Sequence, residues 1–164
     1  MPRYLIIDGY NAIGKIQELE AKKDISLEAS RLFFIKILKD FMGQKNIFDK
    51  IAVVFDSKEK GIGTRRYSYG SVEALFATID RDADSVIVDI LRNASSKDKI
   101  TVSSDDNFVR NHAKVFGRDV ISIAELEKII MLKKRSVKSR INEKGLRSDK
   151  IKDINEELRK HWDL

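Results

Sequence analysis

The segment YLIIDGYNAIG, residues 4–14, sets a short apolar run directly against a carboxylate, Asp8. A run of this length, apolar on both faces, reads as a strand buried in a parallel sheet and covered by helices on each side. Its last residue then stands at a carboxyl end of the sheet, where open α/β folds bind their ligands. Three further runs share its character: KIAVVFD (50–56), KITVSS (99–104) and RDVISI (118–123). The run SVEALFA (71–77) reads either as a fifth strand or as the start of a helix. Helical patterning covers 26–43, 82–94, 105–117 and 122–134. Ser26 is a candidate N-cap and Gly43 a stop for the first of these, and Ser122 with Glu125 has capping-box spacing in the last. Strands alternating with helices predict an α/β domain with a mainly parallel sheet and helices on both faces. That domain is expected to span 1–130. Residues 131–164 are expected to form a basic extension of two helices parted near Gly145.

A chain of 164 residues with 42% hydrophobic content can bury one domain core. It has no cysteine, which excludes a disulfide framework, a thiolate zinc site and a cysteine nucleophile. No segment approaches the roughly 18 consecutive apolar residues of a membrane span. The first apolar run is too short for a signal peptide, so a soluble, cytoplasmic protein is expected. The formal charge of +6 is unevenly placed: residues 131–164 hold 11 Lys and Arg against 6 Asp and Glu, leaving +1 for the rest. Such a segment can neutralise the phosphates of a nucleic acid, although a solvated helix face has the same composition. The chain has no P-loop, and the glycine pair at 61 and 63 lacks the third glycine and the strand–turn–helix setting of a dinucleotide fingerprint.

Acids stand just past each strand: Asp8, Asp56, the pair Asp105 and Asp106, and Asp82 with Asp84 at the start of the 82–94 helix. In a parallel sheet they come from distant parts of the chain to one rim. Carboxylates crowded together repel one another and need a cation. Mg2+ or Mn2+, one ion or two, fits an all-oxygen donor set and suits phosphodiester hydrolysis. Each acid also has a plainer role. Asp84 and Asp105 lie where aspartate caps helices, Asp56 can open a turn, and Asn11 can hold a local turn or orient Asp8. The segment 57–70 reads as a loop over the rim. In it Lys58, Lys60, Arg65 and Arg66 are candidates to hold phosphates, and Tyr67, two residues from Tyr69, to stack on an unpaired base. Lys133, Lys134, Arg135, Lys138 and Arg140 would extend that grip. His112 and His161 read as surface or packing residues.

The motif LIIDGYNAI (5–13), followed by VVFD (53–56), ADS (83–85), TVSSDD (101–106) and VFGRDVISIAEL (115–126), resembles the YacP-like branch of the NYN domains, within the PIN-like nuclease superfamily. The resemblance implies a PIN-like three-layer α/β/α sandwich and a metal-dependent ribonuclease. It implies Asp8, Asp84 and Asp105 as metal ligands and Asp56 as the fourth catalytic acid, with Asn11, Asp82 and Asp106 in support. One departure stands out: relatives carry Glu-Thr before the Ala-Asp pair, and this chain has Arg81 and Asp82. The leading expectation is an endoribonuclease. The alternatives are an RNA- or ribosome-binding module that does not cut, a structure-specific DNA nuclease, and a phospho-acceptor receiver with Asp56 as the acceptor.

Overall fold

The computed structural model describes residues 1–44, 47–57, 64–78 and 80–131. Six strands form one sheet: β1 (Arg3–Asp8), β2 (Lys50–Phe55), β3 (Arg65–Tyr69), β4 (Val72–Phe76), β5 (Lys99–Ser103) and β6 (Asp119–Ile121). The helices are α1 (Gly9–Lys15), α2 (Gln17–Lys23), α3 (Leu27–Gln44), α4 (Ala83–Asn93), α5 (Asn107–Val115) and α6, which covers 123–131. The strand order is β3-β4-β2-β1-β5-β6, and every pairing is parallel except the β3–β4 hairpin. The chain builds outward from β1 through β2 to β4, then returns to the other side of β1 to lay down β5 and β6. The reversal falls beside β1, so the switch point lies at Asp8.

The period-2 alternation of the strands supplies two cores. Leu5, Ile7, Ile51, Val53, Phe55 and Val72 face α1, α2, α3 and α6, against Ile13, Leu19, Phe34, Leu38 and Ile123. Ile6, Val54, Leu75, Ile100 and Val102 face α4 and α5, against Val86, Ile87, Leu91, Val109 and Ala113. Helices thus cover both faces of the central strands, as their continuous apolar character requires.

Local chemistry fixes the element ends. The Ser26 hydroxyl accepts the Ala29 N–H at 2.9 Å, and Ser122 and Glu125 form the reciprocal capping box at 3.0 and 3.3 Å. The buried Ser30 hydroxyl donates to the Leu19 carbonyl at 2.7 Å, tying α3 to α2. Gly9 follows Asp8 where the chain turns from β1 into α1. A Cβ there would lie 2.4 Å from the Phe55 ring and 2.8 Å from the Val54 carbonyl oxygen, so only glycine fits.

Several expectations change. The 71–77 run is a strand, β4, parallel to β2. Residues 65–69, expected in a loop, form the edge strand β3, because a hairpin turning at Gly70 in the left-handed region (φ 70°) returns them antiparallel to β4. Residues 9–23, given no helix by the sequence reading, form α1 and α2, so Asn11 sits in a helix rather than in a loop turn. The proposed extension, including Lys133, Lys134, Arg135, Lys138 and Arg140, lies outside the described residues, as do Lys58, Lys60 and His161.

Candidate active site

Strand register sets the site. Asp8 pairs with Val54 on β2, and Ile7 pairs with both Val53 and Ser103, so β1, β2 and β5 end level with one another. Alternation sends Asp8 to the face of Ile6, which is the face covered by α4 and α5. Both helices begin at this rim. Asp82 caps α4, accepting the Ser85 N–H at 2.8 Å, and Asp106 caps α5, accepting the N–H groups of Phe108 and Val109 at 2.8 and 3.3 Å. Asp56 accepts the Ala83 N–H at 2.6 Å, which ties the end of β2 to the first turn of α4 and sets the position of Asp84.

Asp8 and Asp84 both feel the charges of Asp56 and Asp106. Asp8 is buried, at 8% exposure. Its pKa is raised from the ordinary 3.8 to about 6, first by burial and then by the charges of Asp106 and Asp56; the Ser104 hydroxyl opposes the rise. Asp84 is likewise raised to about 6, first by burial and then by Asp106, Asp8, Asp82 and Asp56. The largest charge effects on these two aspartates come from other carboxylates. The Ser104 hydroxyl donates to Asp8 Oδ2 at 3.1 Å and accepts the Asp106 N–H at 3.0 Å, so one serine joins both acids.

Asp105 stands apart from this group. Its Oδ2 takes the Lys15 ammonium at 2.8 Å and its Oδ1 takes the Ile123 N–H at 3.0 Å. Burial works to raise its pKa, but these bonds outweigh burial and hold it below the usual carboxylate range. Neighbouring residues leaving a strand point to opposite faces. Asp105 turns to α1 and α6, and Asp106 to α4 and α5. Asn11 holds this junction by accepting the Asp105 N–H at 2.8 Å.

Arg81 pairs with Asp89 along α4. Asp82, hydrogen-bonded by Ser85, is held below the usual range. The basic residues of β3 divide by face. Arg65 and Tyr67 border a cleft with Asp56, Tyr10 and Arg31, whereas Arg66 lies on the other face, 3.8 Å from Glu73. His112 bonds the Phe108 carbonyl one turn back in its own helix.

The donor chemistry fits a hard divalent ion, since the set is wholly oxygen, buried in part and rich in carboxylates. Among the described residues no group of three His, Asp or Glu side chains is arranged as a ready-made cage. Magnesium sites commonly use one or two carboxylates, with waters and substrate phosphate completing the shell. Asp8 and Asp84 could supply such carboxylates, while Asp56 and Asp106 also serve backbone N–H groups.

A mainly parallel α/β sheet with aspartates gathered at its switch point agrees with the PIN-like nuclease fold that the sequence motifs resemble. The chain belongs to the YacP-like NYN domain family, whose model matches residues 5–163. A crystal structure of Rae1 (YacP) from Bacillus subtilis is similar to it, with a TM-score of 0.62 and 25% identity over 96% of this chain and 91% of that one. A mutant of the same protein gives a TM-score of 0.65 at 22% identity, over 87% of this chain and 83% of that one, and shows the shared fold. No curated protein matches the chain. No helix among the described residues is long and apolar enough to cross a membrane.

Proposed function

We propose that the protein is a metal-dependent endoribonuclease. One observation carries the reading: Asp8 and Asp84, from different parts of the chain, share a rim where burial and the charges of neighbouring carboxylates raise both pKa values to about 6. A fold keeps such a costly arrangement where it has a use for the charge. Asp8 and Asp84 would hold Mg2+ or Mn2+, as one ion or as members of a pair. When bound, the ion neutralises phosphate charge and lowers the pKa of water. The surrounding residues position these two acids. Ser104 fixes one oxygen of Asp8, and Asp56 anchors the start of α4 and with it Asp84. Asp106 adds negative charge beside both and would take the catalytic place that the family resemblance gives to Asp105. RNA is the substrate that family membership favours, held by Arg65 and by the basic segment beyond residue 131.

A second reading is an RNA- or ribosome-binding module without cleavage. It is favoured by Arg81, which stands where relatives carry an acid. Labelled RNA and DNA incubated with Mn2+, with and without chelator, separate the two readings. The nuclease reading expects RNA cleavage that needs the metal and is lost in Asp8→Asn while RNA binding persists. Shifted but intact RNA under every condition supports the binding module. Full activity in Asp8→Asn, with contaminating nuclease excluded, rules the proposed site out.

A further inference from the structure

Beside the acidic rim, on the opposite side of Asp56 from α4, a cleft of about 670 Å³ opens between α3 and β3. That volume is typical of small-ligand sites. Its walls carry aromatic rings and two arginines, Arg31 and Arg65, together with the acids Glu28 and Asp56. Tyr67, 48% exposed, meets Phe76 edge-on with ring centroids 5.6 Å apart. The Arg31 guanidinium lies 5.3 Å from the centroid of the same Phe76 ring. Its Nη1 also donates to the Tyr10 hydroxyl at 2.9 Å, and the Tyr10 ring rests 5.2 Å from Phe55. Arg31 is thus held by a hydrogen bond and by an aromatic face, so its plane is set before any ligand arrives. Leu32, 45% exposed, adds apolar surface at the α3 lip, and Arg65 brings a second positive charge.

We propose that this cleft is a slot for one unpaired nucleobase of the RNA strand whose phosphate lies at the acidic rim. The proposal rests on the RNA-directed part of the reading above and names residues of α1 and α3 that reading does not use. An aromatic face and a fixed guanidinium plane are the surfaces on which bases stack, without regard to sequence. The two arginines suit the flanking phosphates. Asp56 borders both the cleft and the rim, so a strand passing from one to the other is continuous. Stacking also requires the base to leave any helix, so the slot selects single-stranded substrate.

The test uses the full chain in the Asp8→Asn background with magnesium, so that bound strands stay intact. Fluorescence anisotropy compares a labelled single-stranded RNA with an abasic ribose-phosphate strand of equal length. The slot predicts that Tyr67→Ala and Arg31→Lys each weaken RNA binding about ten-fold, leave abasic-strand binding unchanged, and that Tyr67→Phe stays within about two-fold of the parent. Equal losses on the two strands, or no loss on RNA, overturn it; the second outcome is the one expected if the cleft receives a peptide. Wild-type cleavage is scored separately. Base-dependent losses in a protein that cuts nothing keep the slot and remove the nuclease reading. Cleavage together with losses that ignore the bases keeps the nuclease and removes the slot.

Discussion

Asp8→Asn should stabilise the metal-free protein at the pH where it abolishes activity. Asp8 carries a pKa of about 6 in the native state against 3.8 ordinarily, because burial and the charges of Asp106 and Asp56 disfavour its ionised form. The native state therefore binds its proton more tightly than the unfolded chain does. Its contribution to stability is fully present below about pH 4 and is lost as pH rises through about 6. A rise of about two pKa units corresponds to about 3 kcal/mol at neutral pH, an upper figure for this one group. Asp84 adds in the same direction, reduced by solvent screening because it is more exposed. Asparagine removes the charge but brings an amide NH2 to a buried site, which costs about 1–3 kcal/mol if it goes unpaired. With the amide unpaired, the net effect expected for Asp8→Asn is therefore a gain of up to about 2 kcal/mol at pH 8, turning into a loss of about 1–3 kcal/mol near pH 4. Urea unfolding in chelator, followed by circular dichroism at several pH values, reads this directly. Saturating Mn2+ should then raise wild-type stability at pH 8 and leave the variant nearly unchanged. A variant less stable than wild type at pH 8, or a difference that ignores pH, would refute the claim that Asp8 is held at an electrostatic cost.

Asp106→Asn keeps the α5 cap but removes the charge, and should lower RNA cleavage about ten-fold or more, whereas Asp105→Asn should stay within about three-fold; steady-state rates on one RNA decide between them. Gly9→Ala gains up to about 1 kcal/mol of helix propensity but drives a methyl into the Phe55 ring and the Val54 carbonyl, at a cost of about 1–3 kcal/mol, so its thermal midpoint should fall. Arg65→Ala should weaken RNA binding several-fold and more strongly at low salt, while Arg66→Ala, on the other face beside Glu73, should leave it within about two-fold in the same anisotropy titration.

Much of this arrangement could be read from the residues. Continuous apolar runs at 4–8, 50–56 and 99–104 give buried parallel strands, and acids at their ends give a charged rim, because both features are local. The edge strand β3 was hidden for a physical reason. RRYSY carries no apolar alternation, since an edge strand faces solvent and its pairing comes from the hairpin through Gly70. Helices α1 and α2 are short and join at Ile16 without side-chain caps, so the usual start signals are missing. Which of Asp105 and Asp106 faces Asp8 could not be read from sequence, because one step along the chain exchanges the faces of the sheet. Only the bonds from Lys15 and Ile123 to one, and from Ser104 to the other, separate them. The cleft lined by Tyr10, Arg31 and Tyr67 joins three distant elements, and nothing in their spacing announces it.

The central proposal is that aspartates from separate elements, meeting at one rim, are relieved of their repulsion by a divalent cation. Anomalous diffraction from crystals soaked in Mn2+ tests that most directly. The account predicts a manganese peak bonded to carboxylate oxygens of Asp8 and Asp84, on the α4 and α5 side of the sheet, with Asp105 still joined to Lys15. A peak bound to Asp105 instead, or no peak at this rim in protein that cleaves RNA, would contradict it.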